Sequence, residues 1–254
     1  MSTSRSSALS KPHQPDRKGD FFMCHGHAVK AFPAPAPAEP FDRTVAGFTW
    51  GDPAAEKTIA VLPDIYGCNP FYKGLSTLMA QKGARVHLVD TFYGLGDLPE
   101  ATREAAFARR NKVDDKSFLD RFEQFCREEQ VTGVVGFCLG GLYIFELARR
   151  GLSADLIGLY GFPQGLPNED PLPVPFDYLP EVDQSFTMLV GRDDDSVGRD
   201  NIERLEKMSP EVRAMTLKVY DGVGHNFLPL LDSDKQSERA IAEDARDRML
   251  RTLL

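Results

Sequence analysis

The sequence predicts an α/β fold, a mostly parallel, doubly wound sheet with helices on both faces. Three observations carry that expectation. From residue 43 to the end, short runs that are apolar along most of their length alternate with runs of helical spacing. The apolar runs are too continuous for a half-exposed antiparallel sheet and suit strands covered on both faces. One of them ends on a cysteine set among glycines, Gly136-Phe-Cys138-Leu-Gly140-Gly141, directly before a helical run.

In chain order, "FTW" (48–50) reads as an extra strand at the sheet edge, and "TIAVLP" (58–63) as the first parallel strand, followed by a helix over 71–82. "ARVHLVD" (84–90) is the next strand; helical spacing returns at 101–110 and 116–129, where Phe118, Phe122, Phe125 and Cys126 belong to the core. "TGVVGF" (132–137) leads straight into a helix at 138–150. "DLIGLYG" (155–161), "SFTMLVG" (185–191) and "MTLKVYD" (215–221) complete the strands, with a helix at 199–208. The last run, 233–254, puts Ala240, Ile241, Ala245, Met249 and Leu253 on one stripe.

Residues 1–42 form an extension of different composition, rich in Ser, Lys, Arg and Pro. It is expected to be partly disordered or tied onto the surface of the domain at 43–254. "FPAPAPAEP" (32–40) favours extended polyproline geometry. Cys24, His25 and His27 are too tightly spaced for a structural zinc site and have no second half, so no metal is expected there.

Bulk properties narrow the function. The 254 residues are 42% hydrophobic, enough for one sizeable core, and the formal net charge of -8 argues against a nucleic-acid partner. No run of about 18 apolar residues suggests a membrane span. The N-terminus lacks the apolar stretch of a secretory signal, and four scattered cysteines do not make a disulfide framework. A cytoplasmic protein, monomeric or a small homo-oligomer, is the expectation.

In a doubly wound sheet, reactive groups gather at the carboxyl ends of the strands. Cys138 ends one strand in the pattern Gly-x-nucleophile-x-Gly of a nucleophile elbow. The turn is so sharp that the flanking positions must be very small, and it puts the sulfur at a helix N-terminus, which favours thiolate. A thiol nucleophile needs a base, and the base an orienting carboxylate. Downstream of Cys138 the chain has one histidine, His225, in the glycine-loosened "YDGVGHNF". The carboxylate comes from "GRDDDSVG", with Asp194 preferred over Asp193 and Asp195 because it follows Gly191 by three. The alternatives are a structural cysteine, a surface histidine and a solvated acidic loop.

With these residues in hand, the chain resembles the dienelactone hydrolases (carboxymethylenebutenolidases), members of the α/β-hydrolase superfamily. The resemblance covers most of 44–254. It rests on the cysteine elbow, on Gly191-x-x-Asp194-x-x-Val197, on Tyr220-x-x-x-Gly224-His225-x-Phe227, and on "LPDIYGCNPF" (62–71). It implies an α/β-hydrolase fold, a small lactone or ester substrate, no cofactor, and an oxyanion hole made by the N–H groups of Ile65 and Leu139. The family's usual Glu at the end of the first parallel strand, thought to help deprotonate the thiol, is here Asp64. The arginine that dienelactone-cleaving members carry four residues after the histidine is here Pro229. Arg103, Arg109 and Arg110 are candidate replacements, with surface solvation as the alternative. Tyr66, Phe92 and Tyr93 are candidates for a pocket wall, and Cys68 for its lining. A Cys68–Cys138 redox pair has no Cys-x-x-Cys spacing behind it. A non-catalytic ligand-binding protein of the same fold is the alternative function, and competent residues at every triad position speak against it.

Overall fold

The computed structural model describes residues 28–254. Its sheet has eight strands: β1 (Glu39–Asp42), β2 (Ala46–Trp50), β3 (Thr58–Leu62), β4 (Arg85–Val89), β5 (Gly133–Phe137), β6 (Asp155–Leu159), β7 (Phe186–Gly191) and β8 (Met215–Tyr220). Their spatial order is β1-β2-β4-β3-β5-β6-β7-β8. The first two run antiparallel to their neighbours, and all pairings from β4 to β8 are parallel. The helices are α1 (Pro70–Gln81), α2 (Arg103–Arg110), α3 (Asp115–Glu128), α4 (Leu139–Arg149), a single turn α5 (Pro175–Tyr178), α6 (Arg199–Met208) and α7 (Gln236–Leu253). The α/β-hydrolase architecture predicted from the sequence is the one observed.

Strand periodicity explains the two-sided burial. In β3, Ile59 and Val61 point into one apolar cluster while Ala60 and Leu62 point into the other. The first cluster takes Phe71, Leu75 and Met79 of α1 and Ala242, Ala245, Met249 and Leu253 of α7. The second takes Phe118, Phe122 and Phe125 of α3, Leu142 of α4, and Ile202 and Leu205 of α6. Each fully buried large apolar side chain contributes about 1.5–3 kcal/mol, so both faces of the sheet must be covered for the fold to hold. Local signals start the helices where packing needs them. The Asn69 side chain accepts from Phe71 N–H at 3.0 Å before Pro70, and the Asp114 side chain accepts from Ser117 N–H at 3.0 Å.

The structure departs from the sequence reading at the N-terminal side. "FTW" lies one strand in from the edge, because β1, inside the segment assigned to the extension, pairs outside β2. Pro40 is compatible with a strand only at such an edge. Phe41 anchors β1, stacked on Phe125 with ring centres 5.2 Å apart. Upstream of it, Val29 and Phe32 are buried, and Phe32 packs on Phe71 at 5.3 Å. Trp50 donates its indole N–H to the Ala36 carbonyl at 3.0 Å, and Ala36 N–H donates to Thr77 at 3.0 Å. Residues 28–42 are thus tied onto the domain, through buried side chains upstream and strand pairing at β1. A Pro–Ala run has no period of its own, but Phe32 at its start holds it to α1. Cys24, His25 and His27 lie outside the described residues. Among the described residues, no helix is long and apolar enough to cross a membrane.

One buried group makes the fold sensitive to acid. His87 of β4 is 1% exposed, lies edge-on to Phe41 and Phe125, and bonds Thr49 Oγ1 through Nδ1 at 2.8 Å. Glu129 stands 3.6 Å from Nε2, but it is also paired with Arg43 and Arg85. Burial first, then Arg85 and Arg43, push the imidazole down to about 3. The folded value lies below the unfolded one, near 6.5, so the unfolded chain binds the extra proton. Stability from neutral His87 is complete above about pH 6.5 and drains away toward pH 3, at up to about 1.4 kcal/mol per pH unit. His87→Gln is expected to lose less stability than the parent between pH 7 and 4.5 in urea titrations. Identical losses would show that His87 is not the sensitive group.

Candidate active site

The parallel strands release their chains at one end of the sheet, and the groups singled out from the sequence stand there. Asp64 follows β3, Cys138 follows β5, Asp194 follows β7 and His225 follows β8.

Cys138 sits in a strained corner, with φ 54° and ψ −105°. Such a conformation costs a non-glycine residue about 1–3 kcal/mol and persists only where its surroundings impose it. Here Cys138 N–H is held by the Leu159 carbonyl at 2.9 Å, while the Cys138 carbonyl already accepts from Leu142 in the first turn of α4. The flanking glycines are required by contact. A Cβ on Gly136 would lie 2.0 Å from the Gly140 carbonyl oxygen, and one on Gly140 would lie 2.2 Å from that of Leu62. Leu139 is the first residue of α4, so its N–H belongs to the helix-end donors that have no intrahelical acceptor.

Of the three consecutive aspartates, Asp194 faces inward. It is 1% exposed, whereas Asp193 and Asp195 are exposed. Asp194 Oδ1 accepts from Ser196 N–H at 2.9 Å and Val197 N–H at 3.0 Å, which fixes the carboxylate. Its Oδ2 lies 2.7 Å from His225 Nδ1. With Asp194 ionised, the proton belongs on Nδ1, which makes Nε2 the basic nitrogen of the ring. The ring is flanked by Tyr160 at 5.5 Å and Phe162 at 5.6 Å. The two loops are tied together by Asp193 N–H donating to the Val223 carbonyl at 3.0 Å.

Asp64 is fully buried. Its Oδ1 accepts from Tyr66 N–H at 2.8 Å, a local turn that pins the carboxylate to its own loop. Tyr72 of α1 reaches the same residue: its hydroxyl oxygen accepts from Asp64 N–H at 3.2 Å, and its side chain also bonds the Asp64 side chain. Burial first, then the Asp64 charge, hold the Tyr72 phenol well above its ordinary range; Cys138 adds to the effect.

A cavity of about 600 Å³ opens over these groups. Cys138, His225, Ile65 and Tyr66 line it, with Phe107, Phe162, Leu166, Phe227 and Leu230 as apolar walls. Its polar lining includes Arg103, Ser196, Asn226 and Glu238. Pro229 lies in the 3-10 turn Leu228–Asp232, whose Leu230 supplies wall where an arginine was sought.

The three candidate arginines separate. Arg103 lines the cavity, with its guanidinium 5.4 Å from the Phe107 ring centre. Arg109 is not a lining residue: it lies 4.2 Å over the Phe92 ring and donates to the Ile65 carbonyl at 3.2 Å, bracing the loop from behind. Arg110 is 1% exposed and paired with Asp115 at 2.6 Å. Phe92 is core and Tyr93 is 59% exposed, bonded to Asp42, so neither walls the cavity. Cys68 is not in the lining either, and burial pushes its thiol far above the usual range. The Cys126 thiol is buried in the core, which pushes it up to about 12. Sequence reasoning missed Phe107, Leu166, Tyr72 and Tyr160. Phe107 was within reach, one helical turn after Arg103; Tyr160 shows only as an aromatic at a strand end, with φ 55°.

The arrangement can generate a nucleophile at Cys138, hold a proton on His225 against Asp194, and exclude water with apolar walls. Among the described residues, no group of three or more His, Cys, Asp or Glu side chains could hold a metal ion.

Comparison with known proteins agrees with the architecture. The family model described as the dienelactone hydrolase family matches residues 45–254. Carboxymethylenebutenolidase 2 of Cupriavidus pinatubonensis is 42% identical over 222 residues, covering 87% of this chain and 94% of that protein. Carboxymethylenebutenolidase of Rhodococcus opacus is 31% identical over 203 residues, 78% of this chain and 80% of that protein. Among solved structures, a provisionally assigned dienelactone hydrolase from Klebsiella pneumoniae superposes with a TM-score of 0.71 at 18% identity, covering 85% of this chain and 98% of the other. That last likeness speaks to the fold alone.

Proposed function

The chain belongs to the dienelactone hydrolase family, and from that premise we propose that it hydrolyses a small lactone or activated ester through a thioester on Cys138. The observation that carries the reading is the buried Asp194 carboxylate 2.7 Å from His225 Nδ1, with His225 sharing a cavity with a cysteine on a nucleophile elbow.

His225 takes the thiol proton, with Asp64 as a second acceptor, and the thiolate attacks the carbonyl carbon. The oxyanion is met by the N–H groups of Leu139 and Ile65. Collapse breaks the carbon–oxygen bond, His225 passes its proton to the departing enolate or alkoxide oxygen, and an acyl thioester remains beside a neutral imidazole. Water, deprotonated by His225, then adds to the thioester and expels the thiolate, which regains its proton. A thiolate is itself readily expelled, so productive collapse needs a good leaving group. An enol lactone or aryl ester suits the site; an amide does not. Apolar walls favour a mostly apolar acyl portion, and Arg103 is the cavity guanidinium for a substrate carboxylate.

The test uses cis- and trans-dienelactone and a p-nitrophenyl ester. Rapid quenching during ester turnover should show Cys138 heavier by the acyl group, and prior alkylation of Cys138 by iodoacetamide should abolish both the adduct and turnover. Full activity after complete Cys138 alkylation would exclude the thioester route.

A further inference from the structure

The buried Tyr72 phenol has no part in the steps above, yet it stands among groups that do. Its ring is fully buried against Phe71 at 5.1 Å and Phe137 at 5.2 Å, so its position is fixed by the core. Its hydroxyl oxygen accepts from the Asp64 backbone, which leaves the hydroxyl proton for the Asp64 side chain. Burial raises the phenol well above its ordinary range, which leaves it a donor. Asp64 thus receives two donors, Tyr66 N–H and Tyr72 O–H. Both favour its charged form and offset the desolvation of a carboxylate that is 0% exposed. Arg109 from α2 and Cys68 from the same loop also interact with this charge, and Asp90 acts on both. Asp64 and Cys138 stand two residues beyond the paired Leu62 and Gly136, at the same end of neighbouring strands β3 and β5, and both act on the Tyr72 phenol.

We propose that Tyr72 is a positioning residue that holds Asp64 ionised and in place beside the Cys138 thiol, and so sets the pH at which the nucleophile is released. The proposal rests on Cys138 being the nucleophile and Asp64 a proton acceptor. An ionised Asp64 disfavours the neighbouring thiolate in the resting enzyme, yet it is ready to take the thiol proton when substrate arrives. Without the Tyr72 donor, Asp64 holds a proton at higher pH. It is then both a weaker brake on the thiolate and a poorer acceptor in turnover.

Two pH profiles test this on the full chain: kcat/KM for an enol ester, and alkylation of Cys138 by iodoacetamide followed by peptide mass. Tyr72→Phe should move the acid limb of kcat/KM up by about one pH unit, roughly tenfold in rate below the limb, while alkylation in the same window quickens. Both shifts should vanish in an Asp64→Asn background. Replacement of the tyrosines by 3-fluorotyrosine, a stronger donor of nearly the same shape, should move the limb down in the parent and not in Asp64→Asn; this arm does not depend on the folding of Tyr72→Phe. Unshifted profiles, or shifts that persist in Asp64→Asn, overturn the positioning role. Absence of Cys138 alkylation or turnover in the unmodified protein overturns the nucleophile assignment itself, and this proposal with it.

Discussion

His225→Ala is expected to lower turnover of an activated ester at least about 10²-fold while the protein remains folded, the scale of a lost general base. The reason is geometric. Asp194 fixes Nδ1, the Tyr160 and Phe162 rings flank the imidazole, and the ring opens onto the cavity shared with Cys138. Among the described residues no other histidine lines that cavity, so none of them stands ready to replace it. The fold should survive because the residue lies in a loop and its side chain is 11% exposed. Asp194→Asn should cost nearly as much, since an amide cannot hold the imidazole proton in the same way and two loop N–H groups depend on Oδ1. Asp193→Asn and Asp195→Asn change exposed side chains and should stay within about twofold. The measurement is kcat and kcat/KM of the four variants beside thermal unfolding. Equal, small effects from all three aspartates would remove Asp194 from its assigned role.

What the sequence made legible follows from how strongly each position is constrained. The parallel strands were readable because burial on both faces leaves almost continuous apolar runs, and the structure has them within a residue or two of the expected bounds. The elbow was readable because backbone contacts at 2.0 and 2.2 Å exclude any side chain at Gly136 and Gly140. Asp194 stood out among three aspartates because a turn of fixed length follows Gly191. For residues 28–42 the composition allowed a surface tie, but not the pairing of β1 or the places of its contacts. Their stability comes from single anchors, Val29, Phe32 and Phe41, set in a Pro-rich segment with no period of its own. The arginines were not separable either. Arg103 and Arg110 lie two turns apart on similar helical headings, and only the chain's return through Asp115 decides which one is buried. Tyr72 drew no reading from the sequence, because the partner of a buried hydroxyl is a matter of tertiary contact.

Asp115→Ala is expected to cost about 3–5 kcal/mol of stability, the range for a buried pair broken on one side. Asp115 and Arg110 are each 1% exposed and joined at 2.6 Å. The other guanidinium nitrogens of Arg110, Nε and Nη1, have no partner among the described residues, so the charge depends on this one carboxylate. Asp115 Oδ1 also accepts from the buried Tyr143 hydroxyl, and Oδ2 from Asn168 Nδ2 at 3.1 Å. One carboxylate thereby ties the end of α2 and the loop at 162–168 to α4. Those first two elements carry Arg103, Phe107, Phe162, Leu166 and Pro167 of the cavity wall. Loss of the tie should therefore raise KM for a bulky ester more than it lowers kcat. Urea unfolding of Asp115→Ala, beside the double variant Arg110→Met with Asp115→Leu, separates the causes. The double variant removes both charges and should recover most of the stability, since apolar replacements of matched volume are often neutral or better. A loss below about 1 kcal/mol in Asp115→Ala would mean that water reaches Arg110 readily, and that the wall over the cavity is held by apolar packing alone.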